Sequence, residues 1–203
     1  MDEDLPLAGP LKRQIEQEAR RRIRTLRDLG ISEAILEILT YKLLAVVDRA
    51  LDQHRYYEGD LPLVIPVLPL HFVPLKTQLE MIGKRKFSGN VRLNDPRKVV
   101  DLVEVPHKPY FLLNVLNRSD DIVMRNGSST TPSPLTVVEC LALYLHEQSF
   151  SSHVLVAGNT KYEDDEIRIH LSIGVHPNAL SINWAYLDEP IEGAVTPSCQ
   201  GRH

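Results

Sequence analysis

Residues 108–116 read Lys-Pro-Tyr-Phe-Leu-Leu-Asn-Val-Leu, and residues 133–147 read Ser-Pro-Leu-Thr-Val-Val-Glu-Cys-Leu-Ala-Leu-Tyr-Leu-His-Glu. From Phe111 to Leu116 the first run is nearly all apolar, the composition of a central strand covered on both faces. In the second, Thr136 and Glu139 stand in the Thr-x-x-Glu spacing of a capping box, in which each partner bonds the other's backbone N–H. A helix is expected from there through Leu141 and Leu145 to Gln148. Residues 117–133 lie between strand and helix as a long polar connection. A structureless loop of that length is unusual, so a short strand is expected at Ile122–Met124.

Toward the N-terminus the apolar period becomes helical. Residues 1–10 form a loose acidic lead-in with Pro6, Gly9 and Pro10. Leu11, Ile15, Ala19, Ile23 and Leu26 then recur at helical spacing, and Gly30 marks a stop. Ser32 is placed to cap a second helix running to about Gln53, with Ile31 and Leu36 as a hydrophobic staple. Ile35, Ile38, Leu39, Leu43, Val46, Val47 and Ala50 give that helix a broad core-facing stripe. The short break between the helices predicts a helical hairpin. Leu61–Leu70 is apolar but holds Pro62, Pro66 and Pro69, which suits an edge strand. Pro74 opens a short helix expected to stop at Gly83, and Lys84, Arg85 and Lys86 follow in a loop. Val99–Val105 is a further short strand.

Toward the C-terminus the period becomes two. Val154–Ala157 reads as a short buried strand. Ile167, Ile169, Leu171 and Ile173 alternate with Arg168, His170 and Ser172, and Leu180, Ile182, Trp184 and Tyr186 repeat the pattern. Six residues connect them, and pairing Ile173 with Leu180 would set Ile169 opposite Trp184. Residues 188–203 carry four Pro or Gly residues and are expected to be irregular. The fold class is therefore α+β. An N-terminal helical hairpin and a later helix pack on a mixed, mainly antiparallel sheet. Residues 11–203 make one domain, with 11–54 as the hairpin and 61–203 as the sheet core.

Two phrases resemble signature stretches of an uncharacterised, largely actinobacterial family of unknown function. They are Pro109-Tyr110-Phe111-Leu112-Leu113-Asn114-Val115 and Ser133-Pro134-Leu135-Thr136-Val137-Val138-Glu139-Cys140-Leu141-Ala142-Leu143. The closing Thr196-Pro197-Ser198-Cys199-Gln200-Gly201-Arg202 is similar to that family's ending. Leu26-Arg27-Asp28-Leu29-Gly30 and the Leu61–Val67 run fall in the expected order, so the resemblance covers the chain from about residue 15 onward. It departs where the family has an acid at Asn114 and a glycine at Cys140. The family's tryptophan-rich segment is reduced to Trp184 and Tyr186. The resemblance implies a bacterial fold and no chemistry. If the family's acid is catalytic, Asn114 removes that role here.

Composition narrows function by exclusion. The 203 residues are 43% hydrophobic and 25% charged, with a net charge of −4, which suits a folded domain with no global attraction for nucleic acid. Met-Asp-Glu-Asp-Leu-Pro has no signal-peptide pattern and no run reaches a membrane span, so a soluble cytoplasmic protein is expected. Glu139 is read as closing the capping box rather than as a catalytic carboxylate. Cys140 is read as inert helix packing; Cys199 is the better candidate for a reactive thiol, with a surface tail cysteine as the plainer reading. Cys199 and His203 form the only close pair of metal-type ligands, and no metal or cofactor is expected. Asn126-Gly127-Ser128-Ser129 lacks the lysine and helix start of a phosphate loop.

Two functions remain. The first is a non-enzymatic interaction or assembly module, with a protein partner or a second copy engaging Arg20, Arg21, Arg24 and Arg27. The plainer reading of those arginines is a solvated face paired with Glu16 and Glu18. The second is an enzyme or small-ligand binder between the 117–133 loop and the C-terminal tail. Asp120, Asp121, Arg125, His176, Cys199 and Arg202 would converge there.

Overall fold

A computed structural model of the chain describes residues 8–54, 63–86, 99–115, 133–147, 154–162, 169–176, 179–186 and 194–203. Its helices are α1 (Ala8–Asp28), α2 (Glu33–His54), α3 (Leu75–Lys86) and α4 (Val137–His146). Its strands are β1 (Val64–Val67), β2 (Val99–Asp101), β3 (Tyr110–Leu113), β4 (Ser133–Pro134), β5 (Val154–Tyr162), β6 (Ile169–His176), β7 (Ala179–Tyr186), β8 (Ala194–Val195), β9 (Ser198–Cys199) and β10 (Gly201–Arg202). The α+β class, the helical hairpin and the mixed, mainly antiparallel pairing are as the sequence predicts.

The hairpin turn is made by backbone chemistry that Gly30 permits. Gly30 adopts φ 91°, its N–H donates to the Arg27 carbonyl at 2.9 Å, and the Ile31 N–H donates to the Leu26 carbonyl at 3.1 Å. Those two bonds are a Schellman closure, and Ile31 packs against the core that includes Leu26. α2 then starts from Ser32, whose carbonyl accepts from the Ile35 and Leu36 N–H groups at 3.0 and 3.2 Å. Arg27 grips Glu33 through two hydrogen bonds of 2.8 and 2.9 Å, which straps the turn from outside. α1 begins within the expected lead-in, at Ala8. Pro10 sits in its first turn, where no backbone donor is required.

β3 is the middle of a three-stranded sheet in the order β1-β3-β10. All four of its residues are buried, as are all four of β1. Pro66 lies in β1, an edge strand, which is where a residue without an N–H can sit. α1 and α2 both pack on this sheet, and α4 touches β1 and β5. Ile15, Ala19, Ile23 and Leu26 of α1 meet Leu36, Leu39, Leu43, Val47 and Ala50 of α2 in one core with Ile65, Phe111, Leu112 and Leu141.

A second sheet runs β2-β5-β6-β7, and β8 joins β5 in parallel. β6 pairs along both ends of β5, so β2 and β8 share its other edge, β2 near Tyr162 and β8 near Val154. β5 is longer than expected because its register shifts between Val156 and Lys161. The β6–β7 hairpin exists, but Ile173 pairs with Ile182 and Leu171 with Trp184, not Ile173 with Leu180. The strands extend to His176 and Ala179, which leaves two residues between them rather than six. Sliding by two keeps every side chain on its face, so alternation alone could not choose between the registers.

Two other expectations are corrected. α3 continues through Gly83 to Lys86, so the Lys84–Lys86 cluster is helical. One interior glycine costs a helix only about 1 kcal/mol, and good helix formers flank it. From Ala194 onward the tail is not irregular, and residues 188–193 lie outside the described residues. β8, β9 and β10 insert it into three different sheets, pairing with β5, β4 and β3. The expected strand at Ile122–Met124 lies outside the described residues.

Gly30→Ala should cost about 1–2 kcal/mol, the penalty of a left-handed conformation for an L-residue, because nothing crowds the new methyl. Chemical denaturation measures this directly.

Candidate functional site

The densest polar chemistry among the described residues gathers at the N-terminus of α4. Thr136 and Glu139 form the expected capping box. The Thr136 N–H donates to Glu139 Oε2 at 2.8 Å, and the Glu139 N–H donates to Thr136 Oγ1 at 3.4 Å. Glu139 does more than cap. It is fully buried, and Arg202 from β10 clasps it through Nε to Oε1 at 2.6 Å and Nη2 to Oε2 at 2.9 Å. Tyr110 from β3 donates its hydroxyl to Oε1 at 2.9 Å. Each carboxylate oxygen therefore accepts two hydrogen bonds, about the four-site capacity of the group.

A second layer surrounds this pair. Arg202 Nη2 also donates to the Pro134 carbonyl at 2.9 Å. Thr160 of β5 accepts from the Val137 N–H at 2.9 Å and donates its hydroxyl to Asp101 Oδ1 of β2 at 2.8 Å. Asn159 donates to Ser133 Oγ at 2.9 Å and to the Pro134 carbonyl at 2.5 Å. The irregular stretch of β5 brings these residues against β4. A Cβ on Gly158 would stand 2.9 Å from that of Pro134, so only glycine fits there without a shift.

The electrostatics follow from burial. Burial raises the Asp101 carboxyl above its ordinary value. The Thr160 hydrogen bond and Arg202 oppose that shift, while Glu139 adds to it. Burial and the neighbouring Glu139 also raise the Tyr110 phenol, which keeps it a donor. Burial works to lower the Arg202 guanidinium, but its hydrogen bonds and charge contact with Glu139 outweigh this and raise it. The Cys199 thiol is pushed up to about 12 by burial and Glu139. A thiol held that high stays protonated at neutral pH and is a poor nucleophile.

Of the residues expected to converge on a ligand, Cys199 and Arg202 do meet, beside Glu139. Cys199 is buried rather than a surface thiol, and its strand β9 pairs with β4. His176 ends β6 at the hairpin, and its partner is Ala179. Asp120, Asp121 and Arg125 lie outside the described residues. His203, at the end of the tail, contacts Arg49. Its Nδ1 lies 2.5 Å from Arg49, and burial and that guanidinium push its ring down to about 4. Among the described residues no three His, Cys, Asp or Glu side chains could hold a metal ion together. None of the described helices is long and apolar enough to cross a membrane.

The arginines of α1 divide. Arg20 pairs with Glu16 and Arg21 with Glu18 along the helix, and Arg27 pairs with Glu33 across the turn. Arg24 is exposed. Arg22 was not singled out by spacing. It is buried and binds Glu147 at 2.5 Å after α4 and the Val64 carbonyl at 3.3 Å in β1. Its position among Ala19, Ile23 and Leu26 on the core side was the available signal. The Arg202–Glu139 pair had no local signal, because 63 residues separate the partners.

The best-formed apolar cavity is lined by Leu26, Leu68, Gln78, Ile82, Leu141 and Leu145, and its volume of about 10 Å³ suits a single water at most. No protein-family model, curated protein or solved structure matches this chain.

Arg202→Met should cost about 3–5 kcal/mol in denaturant unfolding, since it strands a buried carboxylate. Asp101 gives a pH test. Its folded-state pKa is raised, so protonation favours the fold. The contribution is complete below the ordinary carboxylate value and is lost as pH rises through the folded pKa. Asp101→Asn should therefore raise the melting temperature at pH 7, and the gain should vanish toward pH 4. A constant difference at all pH values would contradict the assignment.

Proposed function

We propose that this chain is a non-catalytic interaction or assembly module that works through the outward faces of α1 and α2. The observation that carries the reading is Tyr41, 93% exposed on the ridge of α2 directly opposite its buried stripe. Leu44, one turn on, is 53% exposed, and Ala34 and Ala45 complete an apolar strip. Glu37 and Asp48 rim it. An aromatic and a leucine at the centre of a charged rim is the anatomy of a protein contact surface.

The polar cluster supports the same reading from the other side. A general base needs an oxygen free for the substrate proton, and all the acceptor capacity of Glu139 is committed within the fold. Cys199 is protonated and buried, and Arg202 is turned inward. This chemistry is spent on holding the chain together. Two free cysteines suit the reducing cytoplasm, where we place the protein. On the Pro109–Val115 and Ser133–Leu143 phrases we also propose membership of the bacterial family they resemble.

Tyr41→Asp combined with Leu44→Asp should leave the far-ultraviolet spectrum and melting temperature near wild type, since both side chains face water. Immobilised wild-type protein should retain a partner from an extract of its source organism, and the double variant should not. Retention that is equal for both proteins, or absent for both, counts against this surface.

A further inference from the structure

The outward faces of α1 and α2 complement each other in charge. α1 presents Arg13, Gln17, Arg20, Arg21 and Arg24 to solvent, whereas α2 presents Glu37, Tyr41, Leu44 and Asp48. The two helices have 21 and 22 residues, so both are about 30 Å long. Both lie on the three-stranded sheet, and both ridges point away from it. Their axial register is set by two ion pairs. Lys12 stands level with Asp48, and Arg27 with Glu33.

We infer that a second copy of this chain docks face to face on this helical layer, about a two-fold axis parallel to the helices. Such an axis lays α1 of each copy over α2 of the other in antiparallel fashion, and the contact closes on itself. The register within one copy fixes the register between copies. Arg13 of one copy then faces Asp48 of the other, Gln17 faces Leu44, Arg20 faces Tyr41 and Arg24 faces Glu37. Two of these are opposite-charge pairs, and Arg20 over Tyr41 is a cation–π contact. Each opposite-charge contact occurs twice by symmetry. The other in-plane two-fold, perpendicular to the helices, would instead lay the basic α1 of one copy antiparallel on the basic α1 of the other. A layer of two helices, about 30 Å by about 20 Å, has a footprint of roughly 600 Å², at the lower end of what a specific interface buries per partner. Two of the three large apolar residues left exposed among the described residues, Tyr41 and Leu44, fall inside it, and only Leu102 lies elsewhere.

This inference rests on the interaction reading and names its partner, so the test must separate the two. Sedimentation equilibrium of the full chain over a hundredfold concentration range should show a monomer–dimer equilibrium that tightens at low salt. Arg24→Glu sets two acids against each other and should weaken the dimer about tenfold or more; Glu37→Arg should do the same with two bases. The Arg24→Glu, Glu37→Arg double variant should restore association. Circular dichroism confirms folding, and Arg85→Glu on α3 serves as a control that should leave the dimer unchanged. Wild-type protein that stays monomeric overturns the second copy as partner. If Tyr41-dependent capture of another protein persists, the interaction reading stands without it; if no capture occurs, both fall. A dimer indifferent to Arg24, Glu37 and Tyr41 overturns this interface.

Discussion

The buried carboxylate of Glu139 and the guanidinium of Arg202 are the joint on which the architecture turns. Taking two such charges out of water costs several kcal/mol each, and only close, multiple hydrogen bonds offset it. Here the carboxylate receives four, from Arg202 twice, from the Tyr110 hydroxyl and from the Thr136 amide. Those donors come from β10, β3 and the cap of α4. Through the Pro134 carbonyl the same guanidinium reaches β4, and through Thr160 the helix start reaches β5 and Asp101 of β2. Three sheets, one of only two strands and too small to stand alone, are thereby referred to one buried charge pair.

Local features were legible in the sequence and long-range ones were not. Gly30 stops α1 because a positive φ is cheap for glycine, and Thr136 with Glu139 starts α4 because their spacing closes two bonds. Both rules act within six consecutive residues. The apolar run at Phe111–Leu113 announced a central strand for the same kind of reason. The hairpin register, the second job of Glu139 and the three-sheet path of the tail depend on partners far away in the chain. A strand of two residues shows no alternation, so Pro197 reads as loop where it separates β8 from β9, and Gly201 reads as loop although it opens β10. Arg22 and Arg27 illustrate the limit within one helix. Both are arginines in a basic run, yet one is a buried tie to Glu147 and the other an exposed strap to Glu33.

Asn114 shows where the interior is imperfect. It follows β3 with φ 49°, a conformation asparagine tolerates better than most residues. Its amide donates to the Ala50 carbonyl at 3.2 Å and to Gln200 at 2.7 Å, while its own buried Oδ1 has no donor among the described residues. An acid here would place a negative charge against the Gln200 oxygen and the Ala50 carbonyl. The amide is the form of this side chain that the packing accepts. The interior is otherwise committed to cohesion, whereas the helical layer outside is patterned and unspent.

Native-state hydrogen exchange tests the joint most directly. The amides of Leu135, Gln200 and Phe111 bond the tail and its neighbours, to Pro197, Leu113 and His203 respectively. If Glu139 and Arg202 hold the tail as part of the core, these amides should exchange only through global unfolding, with the same opening free energy as Leu141 and Leu143 in α4. Exchange through a separate opening several kcal/mol easier would mean that the tail peels away alone, and would contradict the account.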